Sequence, residues 1–68
     1  MRNVRELTYR EQSIKVWGKD DVTYYLFNPD GDMNEYFVDS IEQAMDKIDK
    51  FIENNEGYFN SEGELVLV

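Results

Sequence analysis

The chain has 68 residues, no cysteine, no histidine and a formal net charge of −8. That length admits one domain. The two missing residue types exclude disulfides, a Cys/His zinc site, the commonest general base and the best nucleophile. The charge is divided: residues 1–19 carry five basic and two acidic side chains, a balance of +3, whereas Asp20 to the C-terminus carries thirteen acidic and two basic (Lys47 and Lys50), a balance of −11.

Residues 1–4 have little to anchor them and are expected to fray. Arg5 to Tyr9 reads as a short strand, followed by a polar turn at Arg10-Glu11-Gln12. Ser13 to Trp17 alternates, with Ile14 and Val16 on one face and Ser13, Lys15 and Trp17 on the other. Gly18 to Asp21 is a polar turn. Val22 to Phe27 is β-branched and aromatic throughout and apolar on both faces, which predicts a central strand. Asn28-Pro29-Asp30-Gly31-Asp32 is a turn sequence in which Asp-Gly favours positive φ. Glu35 to Val38 returns as the fourth strand of an antiparallel meander.

Ser40 is a good helix N-cap, and Gln43 stands where a capping box needs it. Ile41, Ala44, Met45, Ile48, Phe51 and Ile52 then form one apolar stripe along a helix of about three and a half turns. Asn54 to Gly57 ends the helix, with Asn or Gly available for a left-handed cap. Tyr58-Phe59 is a short apolar segment, Asn60 to Gly63 a turn, and Leu65 to Val68 a last strand. The expected fold is α+β: an antiparallel sheet of four to five strands in the order β-β-β-β-α-β, with one helix packed across one face. Trp17, Tyr24 and Tyr36 are expected on the opposite face, either as a contact patch or as a second minicore closed by Tyr58-Phe59 and the last strand. So small a core would gain from dimerisation.

At 100° per residue, Glu42, Asp46, Asp49 and Glu53 fall within about 60° of one another on one flank of this helix. An ordinary solvated helix face would also look like this. Glu53, however, opposes the helix dipole at a cost of a few tenths of a kcal/mol, so helix stability alone does not select it. With Asp30, Asp32, Glu35 and Asp39, the four form a candidate partner-binding surface. A carboxylate row at helical spacing can imitate part of a nucleic-acid phosphate strand. Its expected partner is a basic nucleic-acid-binding protein or complex, approached without direct nucleic-acid contact by this chain.

Other chemistries find little support. Asn28-x-Asp30-x-Asp32 approaches a calcium-loop pattern but lacks its glycine and its preceding helix. Ser13, Ser40 and Ser61 have no visible activating partner, and the scattered glycines form no phosphate loop. No enzymatic activity, metal or cofactor is expected. No apolar run reaches transmembrane length and no secretory h-region is visible, so a cytoplasmic location is expected, without membrane contact.

Asp30-Gly31-Asp32, Tyr36 to Ala44 (YFVDSIEQA) and Ile48 to Ile52 (IDKFI) together resemble small bacterial and phage proteins. These place a strand hairpin before a helix that begins Ser-hydrophobic-Glu-x-Ala. The resemblance covers about residues 9–53 and implies a fold. Short length, acidity and the absence of enzymatic residues also resemble phage-encoded inhibitors of bacterial defence, including anti-CRISPR proteins. That second resemblance implies a protein-binding inhibitor, acting in the host-cell cytoplasm, that blocks a nucleic-acid site. It assigns no individual residues. The competing expectations are a homo-oligomeric structural or accessory module and a regulator that uses the +3 segment on nucleic acid.

Overall fold

The computed structural model describes residues 4–68. Most of the segment expected to fray, residues 1–3, lies outside them. Four antiparallel strands, β1 (Arg5–Tyr9), β2 (Gln12–Gly18), β3 (Asp21–Phe27) and β4 (Met33–Val38), form a sheet in chain order. Helix α1 (Ile41–Asn55) follows, and then β5 (Gly57–Phe59) and β6 (Leu65–Leu67), which pair as a separate two-stranded sheet. The expected helix-on-sheet α+β architecture is present. Tyr58-Phe59 adds a strand that the sequence pattern did not separate from the loop around it.

The core is the helix stripe laid on the sheet. Ala44, Ile48 and Ile52 are fully buried against Ile14, Val22, Tyr24 and Leu26. Loss of a buried isoleucine side chain in such a core costs about 2–5 kcal/mol. Ser40 caps the helix as expected: its Oγ accepts from the Gln43 N–H at 3.2 Å. The reciprocal bond reaches one residue further back than a capping box requires, with Gln43 Oε1 accepting from the Asp39 N–H at 2.9 Å.

Strand register corrects one expectation. Ile14 is opposite Tyr24, and Tyr24 is opposite Tyr36. Both tyrosines therefore share the helix-facing side of the sheet with Ile14. Tyr24 is buried in the core, and its ring stacks on Tyr36 with centroids 5.0 Å apart. Trp17 does lie on the other face. A bulge interrupts the pairing between Val16 and Gly18, and the Trp17 Nε1–H donates to Oγ1 of buried Thr23 at 2.9 Å. Among the described residues no second minicore closes over that face. Tyr58 instead packs against the helix-side core, and Phe59 meets Phe51 edge-on at 6.2 Å.

Two glycines explain how β5 and β6 are seated. A Cβ on Gly57 would lie 2.1 Å from the Val66 carbonyl oxygen, so only glycine permits this approach between the strands. Gly63 has φ +79°, and a Cβ there would lie 2.5 Å from the Pro29 carbonyl oxygen. The β3–β4 loop and the β5–β6 loop thus abut backbone to backbone. Asn60 shapes the second loop, its Oδ1 accepting from the Glu62 and Glu64 N–H groups at 2.9 and 3.0 Å.

Because Gly57 is already a strand residue, the helix cap falls one position earlier, on Glu56, and not on Asn or Gly. Glu56 takes φ 57°, in the left-handed region. Its side chain and that of Glu53 both place negative charge at the helix C-terminus, where no basic residue compensates in the last turn. Glu56→Gly removes both costs and is expected to stabilise the fold by about 1 kcal/mol. For a domain of this size that is an increase in Tm of roughly 4–8 °C, measurable by thermal unfolding.

Candidate protein-binding surface

The carboxylates on the helix flank do not form one free row, because two of them are already engaged. Asp49 is half-buried at the boundary between helix and sheet. It accepts from the Tyr9 hydroxyl at 2.9 and 3.1 Å and from Arg10 Nη1 at 2.9 Å. Asp46 pairs with Lys50 at 3.1 Å, one helical turn on, with both side chains mostly exposed. An exposed pair of this kind contributes only tenths of a kcal/mol, but it neutralises the carboxylate as a recognition element. Glu42 and Glu53 remain exposed and form no ion pair with a described residue. Glu42 lies in the first helical turn, where its charge suits the dipole, and Glu53 lies near the last.

The Asp49 cluster joins the two halves of the charge division. Arg10 and Glu11 form the two-residue loop between β1 and β2, with φ values of 49° and 69°. Left-handed backbone at two residues with side chains is unusual in a hairpin turn and costs roughly 1 kcal/mol or more at each. In that conformation Arg10 reaches Asp49 while Tyr9 donates beside it, so the turn is fastened to the helix. The Arg10 and Tyr9 hydrogen bonds hold the Asp49 carboxyl below the ordinary carboxylate range. The bond to Asp49, reinforced by burial, raises the Tyr9 phenol above its usual value.

The other four acidic residues follow β4. The loop before it is closed by the Asn28 N–H to Asp32 carbonyl bond at 2.7 Å and the Gly31 N–H to Asn28 carbonyl bond at 2.9 Å. Gly31 has φ 89°, the positive value expected at Asp-Gly. Asp30 Oδ1 accepts from the Asp32 N–H at 3.1 Å, and both side chains are exposed. Glu35, in mid-strand, accepts from the Tyr25 hydroxyl at 2.9 Å. Burial first, and then this bond, raises the Tyr25 phenol. Asp39 follows the strand and is exposed. Among the described residues no group of three acidic side chains is placed to hold a metal ion.

The sheet face away from the helix carries Lys15 between two rings, its ammonium 5.9 Å from the Trp17 centroid and 5.5 Å from that of Tyr25. Phe37, on the same face, is 72% exposed. Two open grooves flank the mini-sheet. One is lined by Arg10, Ile52, Glu53, Glu56, Leu67 and Val68, and the other by Glu11, Phe27 and the β5–β6 loop. No described helix is long and apolar enough to cross a membrane. Comparison with protein families, curated proteins and solved structures finds no match to this chain.

The depressed carboxyl of Asp49 gives a pH prediction. Its pairing contributes stability while Asp49 is ionised, above its unfolded pKa of about 4. That contribution is lost as pH falls through the lower folded value. Asp49→Asn is therefore expected to lower Tm at neutral pH, with the difference from wild type closing as pH falls below about 4. Thermal unfolding across this range checks the sign.

Proposed function

We propose that this chain is a non-enzymatic protein that binds a basic surface of another protein. In the finer form of this reading, the chain is a phage-borne inhibitor of the anti-CRISPR kind that occupies a nucleic-acid-binding site. The observation that carries the reading is the placement of unneutralised acid. No lysine or arginine occurs between Lys19 and Lys47. Within that interval Asp30, Asp32, Glu35, Asp39 and Glu42 are exposed and form no ion pair with a described residue. Such a surface repels nucleic acid and attracts cationic protein, with an association rate that falls as salt rises.

The geometry changes which helix residues carry the reading. Asp49 serves the fold, and Asp46 is screened by Lys50, so Glu42 and Glu53 are the informative positions on the helix. A second reading, self-association, draws on the exposed apolar side chains Phe37, Leu67 and Val68. It expects a dimer that forms equally well at high salt.

Reversal of Glu42 and Glu53 to lysine is expected to leave the thermal transition near that of wild type. With a partner captured by the immobilised chain, it should weaken binding about tenfold or more at low salt. Affinity unchanged by the reversals and by salt, together with a salt-insensitive dimer in sedimentation, would transfer the assignment to the second reading.

A further inference from the structure

Strand β4 is an outer strand of the four-stranded sheet, with β3 on one side and no described strand on the other. Its backbone phase follows from the loop. The Asn28 N–H to Asp32 carbonyl bond lies in the same register as the β3–β4 pairs. Bonded pairs alternate in an antiparallel ladder, so Asn34, Tyr36 and Val38 bond to β3. The N–H and C=O groups of Met33, Glu35 and Phe37 point away from the sheet. Edge strands are commonly protected by proline, lysine or a bulge. Met33–Val38 contains no proline, lysine or arginine, and its register with β3 is continuous. Phe37 and Met33 are 72% and 54% exposed.

From this edge we propose that β4 is a docking strand for an extended basic segment of a partner protein, which adds to the sheet as a fifth strand. The proposal rests on the acidic-surface reading above and names its mode of contact. Charge selects the occupant. Asp32, Glu35 and Asp39 line the strand over roughly 23 Å. A second copy of this chain would bring the same acids to the same edge, and both copies carry a net charge of −8. A cationic strand neutralises them. The pleat also sets the pattern the partner must have. Residues beside Glu35 share the face away from the helix, where the stems of Lys or Arg can lie over Phe37 and Met33. The intervening residues fall beside Tyr36 and Val38, an apolar stretch that continues from the Tyr24–Tyr36 stack. The fitting segment therefore alternates basic and apolar residues, and its affinity comes from main-chain bonds along the edge.

The test uses a short capped peptide of alternating Lys and Val, titrated at low salt into the isotope-labelled full chain. Saturable binding is expected, with slowed hydrogen exchange at the Met33, Glu35 and Phe37 amides. Glu35→Lys should weaken it about tenfold or more. Phe37→Pro removes an outward-pointing donor without touching the β3 ladder and should have a similar effect. If that variant does not fold, Phe37→Lys supplies the same test by placing a like charge against the incoming strand. Binding that leaves those three amides unprotected, or that ignores Glu35→Lys, overturns edge docking while the Glu42 and Glu53 result still decides the acidic-surface reading. Failure of the peptide to bind overturns edge docking as well. Protection that rises with protein concentration in the absence of peptide overturns it in favour of a second copy.

Discussion

Ala44, Ile48 and Ile52 are buried on a sheet face made by Ile14, Val22, Tyr24 and Leu26, and most of the molecule's surface follows from that one contact. A 15-residue helix can cover only one side of a four-stranded sheet. It fixes which side chains become core and which acidic residues stand on the flank turned away from it. It also leaves the Trp17 and Phe37 face without a covering helix, and the outer edges of β1 and β4 without a described partner strand. The mini-sheet of β5 and β6 does not change this, because Tyr58 and Phe59 extend the helix-side packing.

Electrostatics then separates structural acid from available acid. Asp49 is drawn inward by Tyr9 and Arg10, fastening a strained two-residue turn to the helix. Asp46 is paired along the helix with Lys50. Glu42 and Glu53 on the helix, and Asp30, Asp32, Glu35 and Asp39 along β4, form no ion pair with a described residue. The chain's charge division is therefore partly closed where Arg10 meets Asp49 and left open at the opposite edge of the sheet. That is where an exposed backbone edge, exposed apolar side chains and carboxylates coincide.

Much of this fold was legible in the sequence. Val22 to Phe27 announced a central strand because both of its faces are apolar. Ser40, Gln43 and the apolar stripe marked the helix because its start, period and burial all agree. The side occupied by Tyr24 and Tyr36 was not legible. Alternation shows which residues share a face, but a shift of one residue in register exchanges the faces, and only the pairing of Ile14 with Tyr24 decides it. The left-handed cap falls on Glu56 although Asn55 and Gly57 both suit that backbone better. The close approach of Val66 reserves the glycine for β5. Of the candidate site, helical spacing found the four acidic residues on the flank but could not show that the β1–β2 turn arrives at Asp49. Adjacent Tyr9 and Arg10, two donors in the basic segment, were the available signal.

Helix burial thus leaves the β4 edge of the sheet open to solvent beneath a line of acid. Amide hydrogen exchange on the free protein at low concentration reads that edge residue by residue. Slow exchange is expected at Asn34, Tyr36 and Val38, which bond to β3, and fast exchange at Met33, Glu35 and Phe37 between them. Equal protection at all six amides would show instead that the edge is already covered, leaving no place for a further strand.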